Sequence, residues 1–280
     1  MIVNKKFNNN VLMSVDDKGQ EVVLMGNGLA FSCRPGDLVD ESKIEKTFVI
    51  EKHDFPEQFV HALTDMSETE IQIINKILED ASVALNTVFS DYLYLALADH
   101  IRYALKRYDE QTELTNPLLW DIEQIYPQEF KAALSALNTI LEYTGKPLKK
   151  DEAAYIALHF VNAQQESLPL SETIKTPKMI KQIIRIIEYH YAMELDKNSV
   201  SYQRFLVHMR FFAQRVIANE KLEHNELSVF THLKEKWSRA YGCVEKIEAF
   251  IQRQYQKEIG EDERFYLMVH IQRMTGYEEN

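Results

Sequence analysis

The feature that most constrains this chain is internal repetition. His100-Ile-Arg-Tyr-Ala-Leu-Lys-Arg107 returns as His208-Met-Arg-Phe-Phe-Ala-Gln-Arg215. Asp151-Glu-Ala-Ala-Tyr-Ile-Ala-Leu-His159 returns as Asp262-Glu-Arg-Phe-Tyr-Leu-Met-Val-His270, and Phe130 aligns with Tyr241. All are displaced by roughly 110 residues, far beyond the period of a short solenoid repeat. Apolar residues recur at helical spacing in both copies, as in Ile74, Ile77, Leu78 and Ala81 and again in Ile180, Ile183, Ile184 and Ile187. The pattern predicts two duplicated all-α helical bundles, residues 64–170 and 171–280. The polar stretch Gln164–Thr173, which contains Pro169 and is followed by Pro177, reads as the linker between them.

Residues 1–55 follow another rule. Gly19, Gly26, Gly28 and Gly36 account for half of the 8 glycines. The short apolar runs Val11–Val15, Glu21–Met25 and Thr47–Ile50 are separated by Asp16-Asp-Lys-Gly19 and Arg34-Pro-Gly-Asp37, which is turn chemistry. A small antiparallel β-sheet domain made of hairpins is expected there. So small a unit buries little core, and pairing with a second copy is a natural way to stabilise it. The fold class is therefore multidomain α and β.

Composition narrows the function classes. With 280 residues and 45% hydrophobic content the chain can build cores, which excludes global disorder. No apolar run is long enough for a membrane helix, and Met1-Ile-Val-Asn-Lys-Lys6 lacks a secretory apolar segment. Cys33 and Cys243 alone make no disulfide framework, which fits a reducing cytoplasm. A net charge of −11 argues against a broad basic coat for nucleic acid. Residues 1–55 nevertheless hold seven Lys and Arg against nine Asp and Glu, so this unit sits near neutrality and the acidity lies in the helical repeats.

His100, His159, His208 and His270 each lie in an apolar helical pattern, where a lone histidine usually reads as a packed, hydrogen-bonded core residue. Here two histidines recur in each copy with their neighbours. Arginine stands two and seven residues after the first, and Asp-Glu stands upstream of the second. Core packing alone rarely asks for that combination twice. No His-Glu-x-x-His motif occurs, and no glutamate precedes any histidine by three residues, which removes the di-iron bundle pattern. A Gly-x-Ser-x-Gly elbow, a phosphate-binding loop and a dinucleotide fingerprint are also missing. What is left is imidazole as a nucleophile that accepts a phosphoryl group from a donor protein. Arg102 and Arg210 could receive the phosphate oxygens, or could simply lie on solvated helix faces.

In the N-terminal unit, Asn8-Asn-Asn10 ends the first strand and Gly26-Asn-Gly-Leu-Ala-Phe31 lies in the next hairpin region. Asparagine can read base edges without charge, glycine permits close backbone approach, and an exposed phenylalanine can stack on an unpaired base. The same residues also serve as ordinary turn chemistry.

Taken together, Asn8-Asn-Asn-Val11, Met25-Gly-Asn-Gly-Leu-Ala-Phe31, Ile44-Glu-Lys46, Asp99-His100, Asn116-Pro-Leu-Leu-Trp120 and Asp151-Glu…His159 resemble the transcriptional antiterminators of β-glucoside and sucrose operons (the BglG/SacY/LicT type). The resemblance spans the chain in the expected order. It implies a dimeric co-antiterminator RNA-binding domain, residues 1–55, followed by two phosphotransferase-system regulation domains. It places RNA contacts on Lys5, Asn8, Asn10, Gly26, Asn27, Gly28 and Phe31. Related β-glucoside antiterminators carry arginine where this chain has Asn27, so a phosphate-pairing charge is lost there. The phosphorylatable histidines map to His100, His159, His208 and His270, with Asp99 matching as well. The implied partners are a leader-mRNA hairpin, the phosphocarrier protein HPr, a sugar-specific enzyme II permease and a second copy of the chain. The implied protein is a regulator rather than an enzyme, without catalytic residues, cofactor or metal. The runner-up reading is a phosphohistidine-regulated module or phosphotransfer enzyme without RNA binding.

Overall fold

The computed structural model describes residues 1–49, 66–112, 114–164, 170–220 and 233–276. The expected domain boundaries at 55 and 64, and half of the expected linker, residues 165–169, lie outside the described residues. The last residues of that linker, Leu170–Thr173, form a short helix.

Residues 1–49 form a four-stranded antiparallel sheet in the order β1 (Val3–Lys6), β2 (Val11–Val15), β3 (Glu21–Met25) and β4 (Lys46–Val49). The first turn follows its sequence: Asp16 Oδ1 accepts hydrogen bonds from Lys18 and Gln20 N–H, and Gly19 takes φ +79°. One sheet face packs Val3, Leu12, Val22 and Leu24 against Leu29, Ala30 and Val39. Alternation sends Val23, Met25 and Phe48 to the other face, yet these too are fully buried.

What covers that second face belongs to the helices of the same unit. Phe48 packs edge-to-face on Tyr94, with ring centroids 5.5 Å apart. Lys46 pairs with Asp91 at 3.0 Å, and Asn75 donates to Glu45 at 2.8 Å.

Among the described residues, four long helices recur in the same order in each copy. The first copy holds α1 (Glu68–Leu85), α2 (Asp91–Asp109), α4 (Pro127–Thr144) and α5 (Lys150–Gln164), with the short α3 (Leu119–Ile125) between α2 and α4. After the short α6 (Leu170–Thr173), the second holds α7 (Lys175–Tyr191), α8 (Val200–Ala218), α9 (Ser238–Tyr255) and α10 (Glu261–Thr275). Local chemistry sets the ends. Ser67 and Glu70 form a reciprocal capping box on α1, α4 begins at Pro127 and stops before Gly145, and the Ser199 side chain caps the start of α8 by accepting from Tyr202 N–H. Ile180, Ile183, Ile184 and Ile187 all point inward from α7, each burial contributing about 1.5–3 kcal/mol.

The chain divides into two compact units. One joins Met1–Asn116 to Gln128–Gln164; the other joins Pro117–Pro127 to the later helices. Thus α3, which the repeat assigns to the first bundle, packs with α7 and α8. Asp121 of α3 is buried against Lys181 at 2.8 Å, and Lys197 lies over the Trp120 ring.

Candidate RNA interface and paired histidine sites

The loops after β1 and β3 are laced into one surface. Asn8 Oδ1 accepts from the N–H groups of Asn10 and Val11 at 2.7 and 2.8 Å. Asn10 Oδ1 accepts from Gly28 N–H at 2.9 Å, and its carbonyl accepts from Gly26 N–H at 3.0 Å. The side-chain oxygens of both asparagines therefore build the loops, as turn chemistry would have it. Gly26 is buried, and a Cβ on it would come within 1.8 Å of the Lys43 carbonyl oxygen, so the close approach demands glycine. Gly28 adopts φ +61°.

On this scaffold Phe31 stands 69% exposed, while Lys6 holds its carbonyl oxygen at 3.1 Å. Lys5 is exposed nearby in sequence and lies over the Phe7 ring. Asn27 is exposed but engaged, donating to Glu68 at the start of α1 at 2.5 Å. An exposed aromatic ring on a glycine- and asparagine-built loop offers a stacking platform without a basic coat.

Each helical repeat brings its two histidines together. In the first, His100 on α2 and His159 on α5 have ring centroids 5.4 Å apart; in the second, His208 on α8 stacks on His270 of α10 at 4.9 Å. Helix pairs α2–α5 and α8–α10 pack directly, which is what closes these pairs. Tyr155 and Tyr266, matching residues of the repeat, lie 5.9 and 5.5 Å from the first histidine of each pair.

Two further residues complete each site. Seven residues span nearly two helical turns, so Arg107 and Arg215 share a face with His100 and His208. By the same spacing, Glu152 and Glu263 share a face with His159 and His270. Arg107 grips both oxygens of Glu152 at 2.8 and 3.0 Å, and Glu152 Oε2 lies 3.0 Å from His100 Nε2. That last contact is close but poorly directed, leaving the buried Nε2 without a well-formed hydrogen bond. In the second repeat Arg215 bonds only Oε1 of Glu263, at 2.8 Å through Nε and 2.6 Å through a terminal nitrogen. Glu263 Oε2 and His208 Nε2, 3.8 Å apart, are both buried without a hydrogen-bond partner.

The electrostatics follow. Burial, with His100 beside it, pushes the His159 imidazole down to about 3. Burial, then His270 and Arg215, pushes His208 down to about 4, and burial followed by Arg273 also lowers His270. These rings are held neutral, with a lone pair available. Burial pushes the Glu152 carboxyl up, but the close approach of His100 and the hydrogen bonds and charge of Arg107 outweigh it and hold the group below its usual range. For Glu263 burial wins over Arg215, and the carboxyl is raised.

The arginines expected to serve the histidines lie elsewhere. Two residues turn a helix by about 200°, so Arg102 and Arg210 leave the far side of their helices. Arg102 meets Glu70 at 3.2 Å, and Arg210 lies over the Tyr126 ring at 4.9 Å. Asp99 is exposed beside His100. Arg107, Glu152, Arg215 and Glu263 all lie within the repeated strings, where nothing in the spacing alone singles them out. Among the described residues no group of three or more His, Cys, Asp or Glu could hold a metal, and no helix is long and apolar enough to cross a membrane.

Comparison with known proteins agrees with this layout. The CAT RNA binding domain family matches residues 1–55, and the PRD domain family matches residues 71–163 and 181–274. Transcription antiterminator LicT of Bacillus subtilis (strain 168) is 37% identical over 276 residues, covering 98% of this chain and 99% of that protein. The Beta-glucoside operon antiterminator of Dickeya chrysanthemi is 32% identical over 276 residues, covering 99% and 97%. The crystal structure of GlcT CAT-PRDI superposes with a TM-score of 0.51 at 31% identity, over 58% of this chain and 96% of that one. This chain belongs to the transcription antiterminators that join a CAT RNA binding domain to two PRD domains.

Proposed function

We propose that the chain acts as a homodimer that binds a leader-RNA hairpin upstream of β-glucoside utilisation genes and so keeps the overlapping terminator from forming. Phe31, Lys5 and Asn27 face the RNA, on loops fixed by Asn8, Asn10, Gly26 and Gly28. A sugar-specific enzyme II permease phosphorylates the first repeat when inducer is absent, on His100 and His159, and silences the protein. HPr phosphorylates His208 and His270 in the second repeat and supports activity.

The observation that carries this reading is the doubled constellation: two adjacent imidazoles, with an arginine–glutamate pair at the first of them, in each repeat. Neutral imidazole is the form that attacks phosphorus. Each phosphoryl group adds −1.5 to −2 charges, and two such groups about 8 Å apart across a dimer repel by roughly 8 kcal/mol at an effective dielectric of 20 before salt screening. Resetting a two-state equilibrium from 1:99 to 99:1 takes about 5.5 kcal/mol, so phosphates near an interface suffice.

The test is a gel shift of the full chain with a leader-RNA hairpin, alongside the same duplex as DNA, before and after incubation with phosphorylated HPr or permease. RNA-selective binding, with transfer of label to the four histidines, supports the reading. Failure to bind any hairpin overturns it. In a read-through reporter, His100→Ala and His159→Ala should give inducer-independent expression, whereas His208→Ala and His270→Ala should lower it.

A further inference from the structure

The glutamate in each site occupies a telling position. Glu152 Oε2 lies 3.0 Å from His100 Nε2 and 3.0 Å from the Arg107 guanidinium at the same time. An oxygen placed so close to Nε2, and already on a guanidinium, stands about where an oxygen of a phosphoryl group bonded to that nitrogen would stand. Arginine holds carboxylate and phosphate through the same planar fork, so one can replace the other without rebuilding the site. The second repeat shows the same parts loosened, with Glu263 Oε2 drawn back to 3.8 Å and unpartnered.

There is also room for the carboxylate to leave. Behind the first site is a cavity of about 350 Å³ whose lining includes Arg107, Glu152, Tyr108 and Lys149. Behind the second is one of about 1100 Å³ whose lining includes Arg215, Glu263, Lys257 and Arg264. In both repeats the arginine and the glutamate line the cavity while the histidines do not, and a second cation is part of each lining.

We propose that Glu152 and Glu263 hold the place of a phosphoryl group, and that Arg107 and Arg215 are the residues that receive it on His100 and His208. This rests on the phosphohistidine reading above. As the carboxylate swings into the cavity, Nε2, in the tautomer protonated on Nδ1, offers its lone pair to phosphorus. The new N–P bond forms as the donor's P–N bond breaks, and the donor nitrogen leaves with the electron pair. The guanidinium, relieved of one anion, takes the next. Arg107 and Arg215 thus act as positioning residues for the modified histidine, a role that Arg102 and Arg210, on the far faces of their helices, do not share.

The test uses the full chain and phosphoramidate, a small donor that requires no protein docking. Its P–N bond breaks and ammonia leaves as the N–P bond to imidazole forms. Sites are mapped by peptide mass spectrometry, and retention of the phosphoryl group is followed by ³¹P resonance. Arg107→Gln and Arg215→Gln should still take up the group but lose it about tenfold faster, with the phosphoryl resonance titrating at higher pH than in the unaltered chain. Arg107→Lys should recover part of both effects. Glu152→Gln, which retains the arginine and the shape of the site, should hold the group as the unaltered chain does. Equal retention and equal titration in the Arg→Gln variants would overturn the proposal while leaving histidine phosphorylation intact. Loss from Glu152→Gln as fast as from Arg107→Gln would overturn it too, since the effect would then be general loosening. If the unaltered chain takes up no phosphoryl group on His100 or His208, the phosphohistidine reading itself fails.

Discussion

Phe48 of the β-sheet meets Tyr94 of α2 edge to face, at 5.5 Å between ring centroids, and both side chains are fully buried. The sheet is therefore seated on the first helical repeat through its second face, and the contact carries stability as well as placement. Phe48→Ala should cost about 3–5 kcal/mol, as large aromatic truncations in packed sites do. Urea unfolding followed by tyrosine fluorescence checks this. A loss below about 1 kcal/mol would mean that the face is not packed in solution.

The arginines of α2 should separate cleanly on removal. Arg107→Ala leaves Glu152, only 6% exposed, as a buried charge without its guanidinium, at a cost of about 3–5 kcal/mol. Arg102, whose side chain is 34% exposed in its pair with Glu70, should cost about 0–1 kcal/mol. Denaturant midpoints of the two variants give the comparison, and equal losses would contradict the division of roles.

Acidification should weaken the protein through its buried imidazoles. For His159 and His208 the folded values, about 3 and 4, lie below the ordinary 6.5, so folding favours the neutral ring. Their contribution is whole above pH 6.5 and is lost as pH falls from there toward the folded values, roughly 1–2 kcal/mol each by pH 5. Glu152, held below 4.5, adds a loss at still lower pH, whereas Glu263, raised above 4.5, gains on protonation and partly offsets it. Unfolding free energies at pH 7 and pH 5 should differ accordingly, and His159→Asn should narrow the difference. No narrowing would show that His159 is not the titrating group.

RNA binding and loop integrity should respond to different residues. Phe31→Ala removes a largely exposed ring and should weaken hairpin binding by about 1–3 kcal/mol while leaving the melting temperature unchanged. Gly26→Ala forces a methyl group against the Lys43 carbonyl and should lower both. Binding isotherms and melts of the two variants decide. A Phe31→Ala variant that binds normally would remove the stacking role.

The repeat, the four histidines and the hairpin sheet were legible because each leaves a mark along the sequence: a long offset, a helical period, an alternation between turns. The site around the histidines was legible only by half. Arg102 and Arg107 look alike next to His100 in a string, and which of them reaches the glutamate beside the ring depends on α2 packing against α5, where a seven-residue spacing faces inward and a two-residue spacing faces away. Glu152 and Glu263 could not be assigned for the same reason, since their partner histidine lies on another helix. Asn8 and Asn10 were open to turn building and to base reading alike. The side-chain oxygens of both are used within the loops.

The segment Pro117–Pro127 has a consequence for how this chain can be divided. Ancestry counts residues along the line and places α3 in the first copy, whereas burial counts neighbours in space and places it in the second unit. A fragment that ends with α5 would carry α3 away from the α7 and α8 against which Asp121 and Ile122 are buried, and a fragment that begins with α7 would arrive without it. Neither half obtained by cutting at the duplication boundary is one of the two bodies into which the chain folds.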